Sequence, residues 1–139
     1  MAAYSRSRCR EWALQFLYQA EFTGGRRPEN LEGFWHHFQK EGAPPAYLQE
    51  LVAGVAAHLE ELDALIARYS EHWRLERMTL VDRNLLRLAI CELLYQAEIP
   101  PKVVINEAVE VAKRFGTEAS GAFVNGLLDR IREAVGREV

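Results

Sequence analysis

Apolar positions recur along this chain at helical spacing, and no stretch of convincing length alternates as a strand would. The clearest case follows Pro100-Pro101. At about 100° per residue, Val104, Ala108, Val111, Ala112 and Phe115 share one face, with Asn106, Glu110 and Lys113 opposite. Pro100 and Pro101 stop the preceding helix, and Pro101 can open the next at its first position, where a missing N–H is harmless. Gly116 is expected to close it in the left-handed region, and Thr117 to Ser120 restarts the chain. The next helix turns Val124, Leu127, Leu128, Ile131 and Val135 inward. Phe123 falls about a quarter-turn off that stripe, beside Arg130, and is a candidate for partial exposure.

Upstream, a helix from about Ser5 to Phe22 puts Cys9, Ala13, Phe16, Leu17 and Ala20 on one face, with Gly24-Gly25 as its stop. Tyr18 projects to the other side with Glu11, Leu14 and Gln15. Packing accounts for Leu14, while Tyr18 fits either a packed position or a partner surface. After a Gly/Arg/Pro turn at 23–29, Leu31, Phe34, Trp35 and Phe38 mark a short helix whose aromatics read as core. A long pattern then runs from Leu48 through Ile66 to about Tyr69, followed by a connector at 70–78 that contains Trp73. Thr79 with Asp82 resembles a capping box opening a helix to Gln96. That helix is apolar on almost every side except for a strip of Arg83, Asn84 and Arg87, which places it at the centre of the fold. The expected class is all-α.

Length narrows the architecture to one domain, since 139 residues with 49% apolar and 27% charged content can bury a core unaided. Cys9 and Cys91 lack ligand spacing and read as reduced thiols of a cytoplasmic protein. No apolar run reaches membrane-spanning length, and the start does not read as a signal peptide. The net charge of −3 is unevenly spread: residues 1–27 hold five arginines and two glutamates, so a +3 end precedes a −6 body. That asymmetry suits an anionic partner at one end and a basic one elsewhere; an ordinary solvated helix start also accounts for it.

Chemistry is sparse. The chain has no phosphate-binding loop, dinucleotide fingerprint, HExxH or GxSxG, and His36-His37 lack the i, i+4 spacing of helical metal pairs, with His58 and His72 isolated. Glu107 and Glu110 read as a solvated face. A non-enzymatic protein without metal or cofactor is expected.

Three blocks then point to a family: SRCREWALQFLYQ at 7–19, VDRNLLRLAICELLY at 81–95 and IPPKVVINEAVEVAKRFGTEASGAFVNGLLD at 99–129. With them the chain resembles the NusB family of bacterial transcription antitermination factors. The resemblance implies two small helical bundles sharing a central helix, here residues 1–76 and 77–139. It implies binding of the single-stranded boxA element of nascent ribosomal RNA together with the ribosomal protein NusE, and read-through by RNA polymerase, reached indirectly through the antitermination complex. Carried over residue by residue, the RNA site comprises Arg6, Arg8 and Arg10 with Gln15, Tyr18 and Phe123. Arginines hold phosphates while rings stack on unpaired bases.

The same resemblance puts the NusE surface at Asp82, at a position usually acidic, with Arg83 and Arg87 on the same helix. Ser7 and Ala122 stand where many relatives carry a basic residue, which implies weak RNA affinity without NusE. Two alternatives remain in view. A homodimeric interaction module without RNA function fits the helical pattern, whereas the helical extension of ribosomal RNA cytosine methyltransferases would need an α/β domain for which 139 residues leave no room.

Overall fold

The computed structural model describes residues 4–38, 41–70 and 74–137. The expectations at His72 and Trp73 fall outside them. Among the described residues there are six α-helices: α1 Arg6–Thr23, α2 Leu31–Phe38, α3 Ala46–Tyr69, α4 Leu80–Tyr95, α5 Pro101–Phe115 and α6 Ser120–Ala134. Short 3-10 turns at Pro28–Asn30 and Leu75–Arg77 precede α2 and α4. No strand occurs among these residues, as the apolar periodicity implied.

Local chemistry explains several of the helix ends. Ser5 caps α1 by accepting from the Arg8 amide at 3.1 Å, and Gly24 ends it at φ 72°, a left-handed conformation that a side chain would strain. Thr79 caps α4 by accepting from the Asp82 amide at 3.1 Å. Pro101 occupies the first position of α5 as expected.

Gly116 does end α5, but its φ of −96° and ψ of −163° are extended and not left-handed. Steric room makes glycine necessary there: a Cβ would stand 2.4 Å from Ser120 Oγ and 2.7 Å from the Ala112 carbonyl oxygen. Ser120 Oγ in turn accepts from the Thr117 amide at 2.9 Å, which ties the loop between α5 and α6 to the first residue of α6.

α4 lies at the centre, packed against α1, α3, α5 and α6. Buried side chains from all six helices form one continuous apolar cluster. α2 seals its N-terminal side through edge-to-face contacts of Trp35 with Trp12 at 4.9 Å and Phe34 with Phe16 at 5.4 Å. α3 departs from helical dihedrals at His58, whose ring stacks on Tyr95 at 4.1 Å.

Three aromatics at the ends of apolar helical patterns are exposed: Phe38 (51%), Tyr95 (45%) and Phe115 (40%). Each is the last residue of its helix. The stripe continues to the helix end, but the neighbouring layer does not reach that far.

Candidate nucleic-acid interface

One face of α1 carries Glu11, Gln15, Tyr18 and Phe22 at spacings of three and four residues. Gln15 is exposed, Tyr18 is 41% exposed, and the Tyr18 ring meets Phe22 edge-on at 5.4 Å. Tyr18 is thus a surface ring. It lines an open groove of about 640 Å³ with Leu14, Gln15, Phe38, Val81 and Phe115.

The three N-terminal arginines divide into two kinds. Arg6 and Arg8 are exposed: Arg6 lies 3.9 Å from Glu98 and over the Tyr47 ring at 5.2 Å, and Arg8 lies over the Trp12 ring at 4.8 Å. Arg10, only 5% exposed, points inward. Its Nε donates to both Glu92 oxygens at 2.9 and 3.0 Å, Nη2 donates to Glu92 at 2.8 Å, and Nη1 donates to Glu107 at 3.0 Å. Burial works against the guanidinium charge, yet the hydrogen bonds and charge of Glu92 outweigh it and hold the Arg10 pKa above its ordinary value. The Tyr47 hydroxyl also donates to Glu92, and its pKa is driven up by burial and by that carboxylate. Each guanidinium nitrogen of Arg10 donates to a carboxylate, so the group is turned toward Glu92 and Glu107 and is not presented to solvent as the expected phosphate contact requires.

Glu107, expected on a solvated face, is drawn into the same network and accepts from Ser7 as well. Glu11 is nearly buried because it accepts from two directions, Arg8 Nη1 at 3.4 Å and Arg114 Nη1 at 2.6 Å.

Phe123 is half-buried and packs against the core. It lines a smaller cavity of about 220 Å³ together with Met78, Thr79, Asp82, Thr117 and Ala119. Tyr18 and Phe123 therefore occupy separate hollows, adjoining where Val81 is followed by Asp82 and where Phe115 leads to Thr117. Ala122, next to Phe123, is exposed.

The residues grouped on α4 also part ways. Asp82 is buried, and its Oδ1 has no hydrogen-bond partner among the described residues. Arg83 Nε forms an ion pair with Glu21 at 3.9 Å but has no hydrogen-bond partner among them. Arg87 is buried: Nε and Nη2 donate to Asp63 at 2.7 and 2.9 Å, and Nη1 donates to Glu21 and to Asn84 Oδ1, each at 3.0 Å. Burial raises the Glu21 pKa, but the Asn84 hydrogen bond and the charges of Arg83, Arg87 and Arg26 prevail and leave it below the ordinary value.

Sequence reasoning did not single out Phe22, Phe115 or Arg114 for this face. Extending the Tyr18 face by one turn would have reached Phe22. The pairing of Arg114 with Glu11 spans 103 positions and leaves no local signal. Among the described residues no group of three or more His, Cys, Asp or Glu could hold a metal ion, and no helix is long and apolar enough to cross a membrane.

Comparison with known proteins gives this geometry its context. The model of the NusB family matches residues 7–133. The transcription antitermination protein NusB of Sorangium cellulosum (strain So ce56) is 49% identical over 133 residues, covering 96% of this chain and 95% of its own. That of Myxococcus xanthus (strain DK1622) is 51% identical over 132 residues, covering 92% and 94%. Among solved structures, T. maritima NusB superposes with a TM-score of 0.82 at 43% identity, covering 95% of this chain and 93% of its own. A chain from a crystal structure of the antitermination factors NusB and NusE in complex with dsRNA superposes with a TM-score of 0.79 at 30% identity, covering 93% and 96%. The all-helical architecture, the matched blocks and full-length relatives at near half identity lead to one conclusion: the chain belongs to the NusB family.

Proposed function

We propose that this protein is an RNA-binding transcription antitermination factor that binds the boxA element of nascent ribosomal RNA together with NusE and promotes read-through by RNA polymerase. The observation that carries the RNA part is the α1 face itself, where exposed Arg8 leads past Glu11 into Gln15 and the solvent-facing ring of Tyr18, with Arg6 exposed at the start of the same helix. Exposed arginine beside exposed aromatic suits single-stranded RNA, since phosphates take the charge and unpaired bases take the ring. A duplex keeps its bases stacked and offers no such ring contact. Phe123, at the rim of the adjoining hollow, extends the path of the strand.

For NusE, we assign Asp82 as the contact. A buried carboxylate oxygen without a partner, at the wall of a cavity, is suited to a basic side chain brought in by a ribosomal protein. Arg83 stands at the edge of that contact. Arg87, tied to Asp63 and Glu21, supports α4 from behind. The role is one of binding without catalysis, and it is exercised in the cytoplasm where the transcript emerges. A division into sub-bundles 1–76 and 77–139 around α4 belongs to the same reading.

Fluorescence anisotropy with a short boxA RNA tests it. The complex with NusE is expected to bind more tightly than either protein alone and to discriminate against a scrambled sequence. Equal affinity for both RNAs would remove boxA recognition. No RNA binding even with NusE, together with a stable dimer, would favour the homodimeric interaction module.

A further inference from the structure

With Arg10 directed inward and Ser7 uncharged, α1 alone offers few donors to a phosphate backbone, and Ala122 on α6 adds none. A basic side chain from another helix completes the face. Arg114, in the last turn of α5, reaches across to α1 and donates from Nη1 to Glu11 Oε2 at 2.6 Å, while Arg8 Nη1 lies 3.4 Å from Glu11 Oε1. The two arginine side chains are 58% and 52% exposed, whereas the Glu11 side chain between them is 10% exposed.

A nearly buried carboxylate thus holds two surface guanidinium groups from different helices. The carboxylate offsets one of the two charges, so the arginines can sit close together and the cluster keeps a net positive charge. Each hydrogen bond to Glu11 uses one of the five N–H donors of its arginine, which leaves the remaining fork facing solvent. Aromatic rings flank both groups: Arg8 lies over Trp12 at 4.8 Å and Arg114 over Phe115 at 5.3 Å. Phe115 in turn lines the groove that holds Gln15 and Tyr18.

We propose that Arg8 and Arg114, held together by Glu11, form a phosphate clamp for single-stranded RNA, with Arg114 as an RNA contact that offsets the missing basic residues at positions 7 and 122. Bidentate guanidinium donors suit a phosphate, and the neighbouring groove receives the attached base. The inference rests on the RNA-binding reading above.

The test is an anisotropy titration of a boxA RNA onto the complex with NusE at several potassium chloride concentrations, for the wild-type protein and for Arg114→Gln and Arg114→Lys. Arg114→Gln is expected to weaken binding about tenfold and to flatten the dependence of log affinity on log salt by about 0.7, the value of one single-strand phosphate contact. Arg114→Lys, which keeps the charge, is expected to recover the slope. If the wild type binds and Arg114→Gln keeps the wild-type salt slope, the clamp is overturned while RNA binding stands. If the wild-type complex binds no RNA, both fall together. Should Arg114→Gln fail to fold, dicarbonyl modification of arginine in the wild-type complex replaces it: RNA is expected to protect Arg114, and unchanged labelling would overturn the assignment.

Discussion

Arg10 and Glu92 meet inside the molecule, the guanidinium Nη2 standing 2.8 Å from a carboxylate oxygen with both side chains almost entirely shielded from water. They join α1 to α4 across 82 positions of sequence, and Tyr47 of α3 donates to the same carboxylate. Removing Arg10 leaves the Glu92 carboxylate buried without a counter-charge, which costs about 3–5 kcal/mol, whereas removing Glu92 leaves Arg10 still paired with Glu107 at 3.0 Å. Arg10→Ala is expected to lose that much stability in urea unfolding, Glu92→Ala less, and the double variant less than their sum. Additive losses would place the two charges in independent environments.

Gly116 supplies a second prediction. Its backbone is extended, so its need for glycine comes from the closeness of Ser120 and the Ala112 carbonyl and not from a left-handed turn. Gly116→Ala is expected to cost about 1–3 kcal/mol, as overpacking does elsewhere. Gly116→Asn should do no better, although asparagine tolerates left-handed positions more readily than other residues. Rescue by asparagine in thermal melts would restore the left-handed account.

Glu21 predicts a pH response. Its folded pKa lies below the ordinary 4.5, so the unfolded chain takes up a proton first as acid is added. The stability contributed by Glu21 is complete above 4.5 and is lost as pH falls through its lower folded value. At neutral pH, Glu21→Gln is expected to cost about 1–3 kcal/mol by weakening the bonds to Arg87 and Asn84. Urea unfolding at successively lower pH should show wild type and variant converging below 4.5. A constant difference across that range would assign the loss to packing.

Much of the fold is legible in the residues because a period of 3.6 reports which face of a helix is buried. The stripes of α1, α4 and α6 lie inward as the spacing implies, and the caps at Ser5 and Thr79 and the start at Pro101 follow from local chemistry. Periodicity is silent on how far the next layer extends, which is why Phe38, Tyr95 and Phe115 are exposed at helix ends. Charge is harder still to read. Arg6, Arg8 and Arg10 look alike in sequence, and Glu92 and Glu107, 82 and 97 positions away, draw Arg10 inside. The Arg8–Glu11–Arg114 arrangement depends on the same kind of distant meeting. Tyr18, by contrast, stands out from the sequence because its projection departs from the core stripe, and the structure places its ring at the surface.

Tyr18 therefore gives the most direct test of the proposed RNA face. In anisotropy titrations of a boxA RNA onto the complex with NusE, Tyr18→Ala is expected to weaken binding by about 1–3 kcal/mol, or about 5- to 150-fold, the range measured for loss of one base–aromatic stack. Its affinity for NusE and its melting temperature should stay near wild type, since the ring is largely at the surface. Phe123→Ala should weaken RNA binding in the same range while losing some stability through its contact with the core. Wild-type RNA affinity in both variants would contradict the account, because no aromatic platform would then lie on this face.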